Sequence, residues 1–162
     1  MSAIISDCGQ YRYLLTRESG LPLAEAPAAL FIMLNPSTAD ATLDDPTIRR
    51  CRGFAQAWGC SGLAVANLYA YRATNPRDLL QCTDPVGPEN DAQLAALAGE
   101  YRDIVCAWGK HAKADRVSVV AAILQQAGAR LWCLGINKDG SPKHPLYIRQ
   151  DTQLMRWNAA KA

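Results

Sequence analysis

Paired cysteines, histidines, long apolar runs and an excess of either charge are what this sequence has little of. Its six cysteines form no C-x-x-C pair, and it has only two histidines. That leaves little material for zinc or iron–sulfur ligation, so neither metal nor cofactor is expected. Several cysteines sit inside apolar runs (VCAWG, LWCLG), where the residue behaves as a small hydrophobe. Buried free thiols and a reducing cytoplasm are the expectation. The opening MSAIISDCGQYRY has no basic region or long apolar core, unlike a signal peptide. No run approaches the roughly 20 apolar residues that span a membrane. A net charge of +2, from 17 basic and 15 acidic residues, excludes a polybasic tail. Any nucleic-acid contact must come from local clusters of Arg and Lys.

What is present is an alternation of strands and helices. At 162 residues the chain fits one domain, 1–162, and a monomer is expected. QYRYLLTR (10–17) reads as a strand, closed by Glu18-Ser19-Gly20 and a Pro-containing loop. AALFIML (28–34) is the continuous apolar run of a strand covered on both faces. Asp44-Asp45-Pro46 suits a helix N-cap followed by proline. Ile48, Cys51, Ala55 and Trp58 then share one helical face, and Gly59 stops the helix. A strand over 62–70 precedes a turn-rich segment. Helices over 88–100 and about 113–127 alternate with strands over 103–109 and 129–135. The pattern predicts a three-layer α/β/α domain with a mainly parallel central sheet.

Ligands of such sheets bind outside the carboxyl ends of the strands. Asn35 follows the strand at 28–34, Asn67 lies near the end of the strand at 62–70, and Gly135 through His144-Pro145 follows the last strand. Parallel strands would bring all three to one edge. An amide at Asn35 can orient a water, and Asn67 offers a donor and an acceptor that suit a base edge. His144 can stabilise a developing anion. Pro36, Ser37, Thr38, Tyr69, Lys143 and Tyr147 complete the candidate substrate contacts, with Arg49, Arg50 and Arg72 facing a nucleic-acid backbone. Each has a plainer reading: Asn35-Pro36 as a turn, Asn67 as a partner of a backbone carbonyl, His144 as a loop residue. Asp44 and Asp45 read as helix caps or as acid/base carboxylates, and Tyr69 with Tyr71 as cover for the sheet.

Nearly the whole chain resembles a bacterial and phage domain family of unknown function, through IMLNPSTAD, DDPTIRRC, VANLYAYRATNP, GPEND, AWG and HPLYI. More distantly, MLNPS, VANLYAYRA and HPLYI are similar in kind and order to motifs of the uracil-DNA glycosylase superfamily. Ser37 stands where that superfamily has glycine, and no serine follows His144-Pro145. The resemblance implies a glycosylase-like fold and hydrolysis of an N-glycosidic bond at a flipped base in DNA. It gives Asn35 the attacking water, Asn67 the pyrimidine edge and His144 the leaving base, with Leu146 or Tyr147 standing in for the residue that fills the vacated stack. Two alternatives stay open: a module that binds nucleic acid or a modified base without cutting, and an enzyme of free nucleosides or nucleotides.

Overall fold

The computed structural model describes residues 1–20, 26–37 and 39–159. Thr38 and the proline-containing loop expected after Gly20 lie outside the described residues. Seven strands form one sheet: β1 (Ser2–Ile5), β2 (Arg12–Glu18), β3 (Ala29–Met33), β4 (Gly62–Asn67), β5 (Asp103–Cys106), β6 (Arg130–Cys133) and β7 (Met155–Arg156). Their order is β1-β2-β4-β3-β5-β6-β7. The central four, β4, β3, β5 and β6, are mutually parallel. The flanking pairings β1–β2, β2–β4 and β6–β7 are antiparallel, so the sheet is mixed where the sequence suggests a mainly parallel one.

Apolar side chains on both faces of β3 and β4 explain their unbroken hydrophobic runs. Leu30, Ile32, Ala64 and Ala66 pack on one face with Leu94 and Leu97 of α3 (Asn90–Glu100) and Val120 and Leu124 of α4 (Ala114–Gln126). Phe31, Met33, Leu63 and Val65 pack on the other with Ile48, Cys51 and Phe54 of α1 (Pro46–Ala57). Successive strand residues point to opposite faces, so a strand wedged between two helical layers must be apolar throughout. A short helix, α2 (Pro76–Gln81), stands within the turn-rich segment; Asn75 caps it and Pro76 opens it. Among the described residues no helix is long and apolar enough to cross a membrane.

The start of β4 tolerates only glycine. Gly62 lies opposite Glu18 in the β2–β4 ladder, and a Cβ there would come within 2.5 Å of the Arg17 carbonyl oxygen. Gly62→Ala must therefore push β2 and β4 apart. It is expected to cost about 1–3 kcal/mol, seen as a lower urea midpoint; an unchanged midpoint would mean that the ladder shifts freely.

α1 carries the chain from β3 to β4 over one face, whereas α2 and α3 carry it from β4 to β5 over the other. The crossovers part at β3, which puts a topological switch point between the carboxyl ends of β3 and β5.

Candidate functional site

A cleft of about 780 Å³ opens at that switch point. The loop after β3 contributes Asn35, Ser37 and Asp45, the end of β4 contributes Asn67, and the loop after β5 contributes Lys110 and His111. Lys143, His144 and Tyr147 come from the segment after β6, and Arg12 from the start of β2.

Each wall is latched by its own backbone. Asn35 donates through Nδ2 to the carbonyls of Ala73 (2.7 Å) and Pro36 (2.9 Å), and Ala73 N donates back to Pro36 O at 2.9 Å. The loops after β3 and β4 are thereby tied together, and the Asn35 Oδ1 can only accept. Asn67 is held from behind: Asn90 Nδ2 donates to the carbonyls of Asn67 and Leu68, both at 3.1 Å, and Arg116 Nε donates to Leu68 O at 2.8 Å. Gly109 N donates to Pro142 O at 2.9 Å, joining the loops after β5 and β6. A Cβ at Gly135 would lie 3.2 Å from the Lys143 side chain, so glycine lets that lysine stem lie flat on the loop.

The two aspartates of the DDPT stretch have separate tasks. Asp45 caps α1, accepting from Ile48 N (2.8 Å) through Oδ1, and from Ser37 Oγ (2.9 Å) through Oδ2. It is the only carboxylate lining the cleft among the described residues. Asp44 accepts from Arg17 Nε at 2.6 Å and Arg52 Nη1 at 2.8 Å. Arg17 also donates to the carbonyls of Thr16, Asp40 and Leu43, pinning the loop to β2.

His144 caps a 3₁₀ turn (Pro145–Tyr147), accepting from Leu146 N at 3.2 Å through Nδ1. Nε2 therefore carries the proton and is the donor. Burial pulls its pKa below the ordinary value, opposed by the charge of Asp45. Near neutrality the ring is uncharged and donates as neutral imidazole.

The cleft thus gathers Asn35, Ser37, Asn67, Lys143, His144 and Tyr147 from the sequence candidates. Pro36 is buried behind Asn35 and does not line it. Tyr69 is also outside its lining: it is buried in the core against α3 and α4, and its hydroxyl accepts from Lys113 N at 3.3 Å. Arg49 donates to Asp44 O, Arg50 to Gln150 and Arg72 to Gly9 O, all away from the lining. Arg12, Lys110 and His111 are absent from the sequence candidates. Extending the strand-end rule to the strand at 103–109, whose run closes as AWGKH, would have found the last two.

Asn67 is the most unusual of these groups. It is 1% exposed, and among the described residues neither its amide oxygen nor its amide nitrogen has a hydrogen-bond partner. Such an unmet amide costs free energy in the empty fold. Leucine branches at the same atom and has nothing to satisfy. Asn67→Leu is expected to raise stability by about 1–3 kcal/mol, measured by thermal unfolding; a lower Tm would mean that the amide is paired in solution.

These features define an α/β domain with a net-positive cleft at a sheet switch point. Over residues 12–146 the chain matches the family described as a protein of unknown function (DUF1643), and it belongs to that family. No curated protein and no solved structure matches it.

Proposed function

We propose that the protein is a DNA glycosylase-like enzyme, hydrolysing the N-glycosidic bond of a damaged or modified base turned out of the strand into the cleft. The observation that carries this reading is the unpartnered Asn67 amide at the cleft. A donor and an acceptor, side by side and buried, match the polar edge of a nucleobase and little else so small. Asn35 Oδ1 would accept from the attacking water, since its Nδ2 is already committed. The C1′–N bond would lengthen toward an oxocarbenium-like state and break, the His144 Nε2–H would donate a hydrogen bond to the departing base anion, and the water would add to C1′ with its proton passing through solvent to that base. Lys110 and Lys143 would meet flanking phosphates, and exposed Tyr147 would stand beside the vacated stack. The resemblance of MLNPS, Asn67 and HPLYI to the glycosylase superfamily supports the same assignment of roles.

One observation favours a second reading, recognition without cutting. The cleft's carboxylate, Asp45, already accepts from the Ile48 amide and the Ser37 hydroxyl, and both hydrogen bonds favour its charged form and weaken it as a base.

A cleavage screen separates the two. Single- and double-stranded oligonucleotides carrying uracil, hydroxymethyluracil, hypoxanthine or mismatched thymine would be incubated with the protein, treated with alkali and resolved, with binding followed in parallel. Strand breaks at one base support the enzyme; tight binding without breaks supports the reader. Turnover of free nucleosides, with neither binding nor breaks on DNA, would sink both.

A further inference from the structure

Three arginines are buried among the described residues: Arg12, Arg17 and Arg116. Arg17 is paired with Asp44, and Arg116 with Asp91 at 2.7 Å. Arg12 has no ion pair among the described residues. Its Nη1 donates to the carbonyl of Ala39, and its Nε has no partner among the described residues. Burial brings its pKa down to about 10, still above neutrality, so the guanidinium is charged in the resting protein. Asp45, which accepts from Ser37 and Ile48, gives that charge its largest electrostatic support, with a smaller share from Asp40, and neither is hydrogen-bonded to it.

A buried cation with no carboxylate hydrogen-bonded to it is a costly group for a fold to hold. Arg17, on the same strand, shows what this protein does with a purely structural arginine: it occupies Nε and both terminal nitrogens and supplies a carboxylate. Arg12 differs in lining the cleft, where a ligand can complete it. Depth narrows the ligand's chemistry. Lys110 and His111 are exposed at the rim, suited to phosphates that stay in solvent. Arg12 is 2% exposed and Asn67 1%, so the group that meets Arg12 must be buried with the ring that meets Asn67.

We propose that Arg12 is the counter-ion for a negative charge borne by the base itself, so that the cleft prefers an anionic nucleobase, such as a carboxylated pyrimidine, over its neutral parent. This rests on the reading that the cleft takes a nucleobase. It adds a specificity-determining residue and a substrate class to that reading.

The test is calorimetric titration of the full chain with uracil, uracil-5-carboxylate, uracil-6-carboxylate and inorganic phosphate. At least one carboxylate is expected to bind ten times or more tighter than uracil. Arg12→Met, which keeps the length of the side chain and removes its charge, is expected to erase that preference while leaving uracil binding in place. Should Arg12→Met fail to fold, the wild-type comparison decides alone. Equal affinity for uracil and both carboxylates overturns the proposal and leaves the base reading standing. A preference that survives Arg12→Met also overturns it, since the charge would then be read by another group. If no ring binds, with or without phosphate binding, the base reading falls and the proposal with it.

Discussion

On the glycosylase reading proposed above, Asn35→Ala is expected to lower the rate of base release by about a hundredfold or more, with little change in substrate affinity. The expectation follows from how the side chain is held. Asn35 Nδ2 bridges the carbonyls of Pro36 and Ala73, so the side chain cannot swing, and Oδ1 stays aimed as a pure acceptor. A water held that way is positioned for attack without being deprotonated, and positioning of this kind acts on kcat more than on KM. Alanine removes the acceptor and takes the side-chain donor from the Ala73 carbonyl, while Pro36 O keeps the Ala73 amide; the loss costs about 1–3 kcal/mol of stability. Asn35→Asp separates the two effects. It keeps an acceptor for the water but places a carboxylate against the Pro36 and Ala73 carbonyls, so the loop should loosen while water binding survives. Single-turnover cleavage, with unfolding curves for each variant, measures both. Full activity in Asn35→Ala would remove this residue from the mechanism.

Asp44→Ala is expected to weaken the fold strongly. The Arg17 side chain is 0% exposed and reaches the Asp44 carboxylate at 2.6 Å. Removing one partner of a buried pair leaves the other charged and dry, a loss of about 3–5 kcal/mol. Asp44 is 14% exposed and also holds Arg52, so some water reaches the site and the lower end of that range is expected. The damage should spread to the cleft, because Arg17 also pins the carbonyls of Asp40 and Leu43 in the loop that ends at Asp45. The pH dependence has a definite sign. Burial pushes the Asp44 carboxyl up, but the hydrogen bonds and charges of Arg52 and Arg17 outweigh it and hold it below the usual carboxylate value. A depressed folded-state pKa gives stability that is complete above the ordinary value of about 3.9 and is lost as pH falls through the lower folded one. The gap between wild type and Asp44→Ala in urea midpoint should therefore be widest near neutrality and shrink in acid. A gap below about 1 kcal/mol at neutral pH would place the pair among ordinary surface ion pairs.

The parts of the fold that could be read from sequence were those that two layers of helix make apolar. ALFIM in β3 and GLAVAN in β4 announce themselves because both faces are covered. Asp45-Pro46 marks the start of α1 because capping is a local, one-turn interaction. The edge strands were missed for the opposite reason. Ser2–Ile5 and Met155–Arg156 are short, and the exposure of their side chains leaves no hydrophobic signature. Asn75-Pro76, inside the turn-rich segment, is also a helix start, and six residues of helix are too few for periodicity to decide. In the site, Asn35, Asn67 and His144 could be found by strand-end position alone. Arg12 could not: a charged residue in a strand reads as exposed until the loop at Ala39 is seen to close over it. The bond from Ser37 to Asp45, and the bond from Asn90 to the carbonyl of Asn67, join positions that no local pattern connects.

The order of strands in the sheet also sets a schedule. β4 lies between β2 and β3 and pairs with both, yet it comes after both in the chain. During synthesis, at about 5–20 residues per second, β3 emerges some seconds before either of its neighbours exists. In that interval the chain can form the β1–β2 ribbon, but Leu30, Phe31, Ile32 and Met33 have no strand to join. The most hydrophobic segment of the finished sheet is thus the one left waiting on the ribosome, and Gly62 begins the strand that ends the wait.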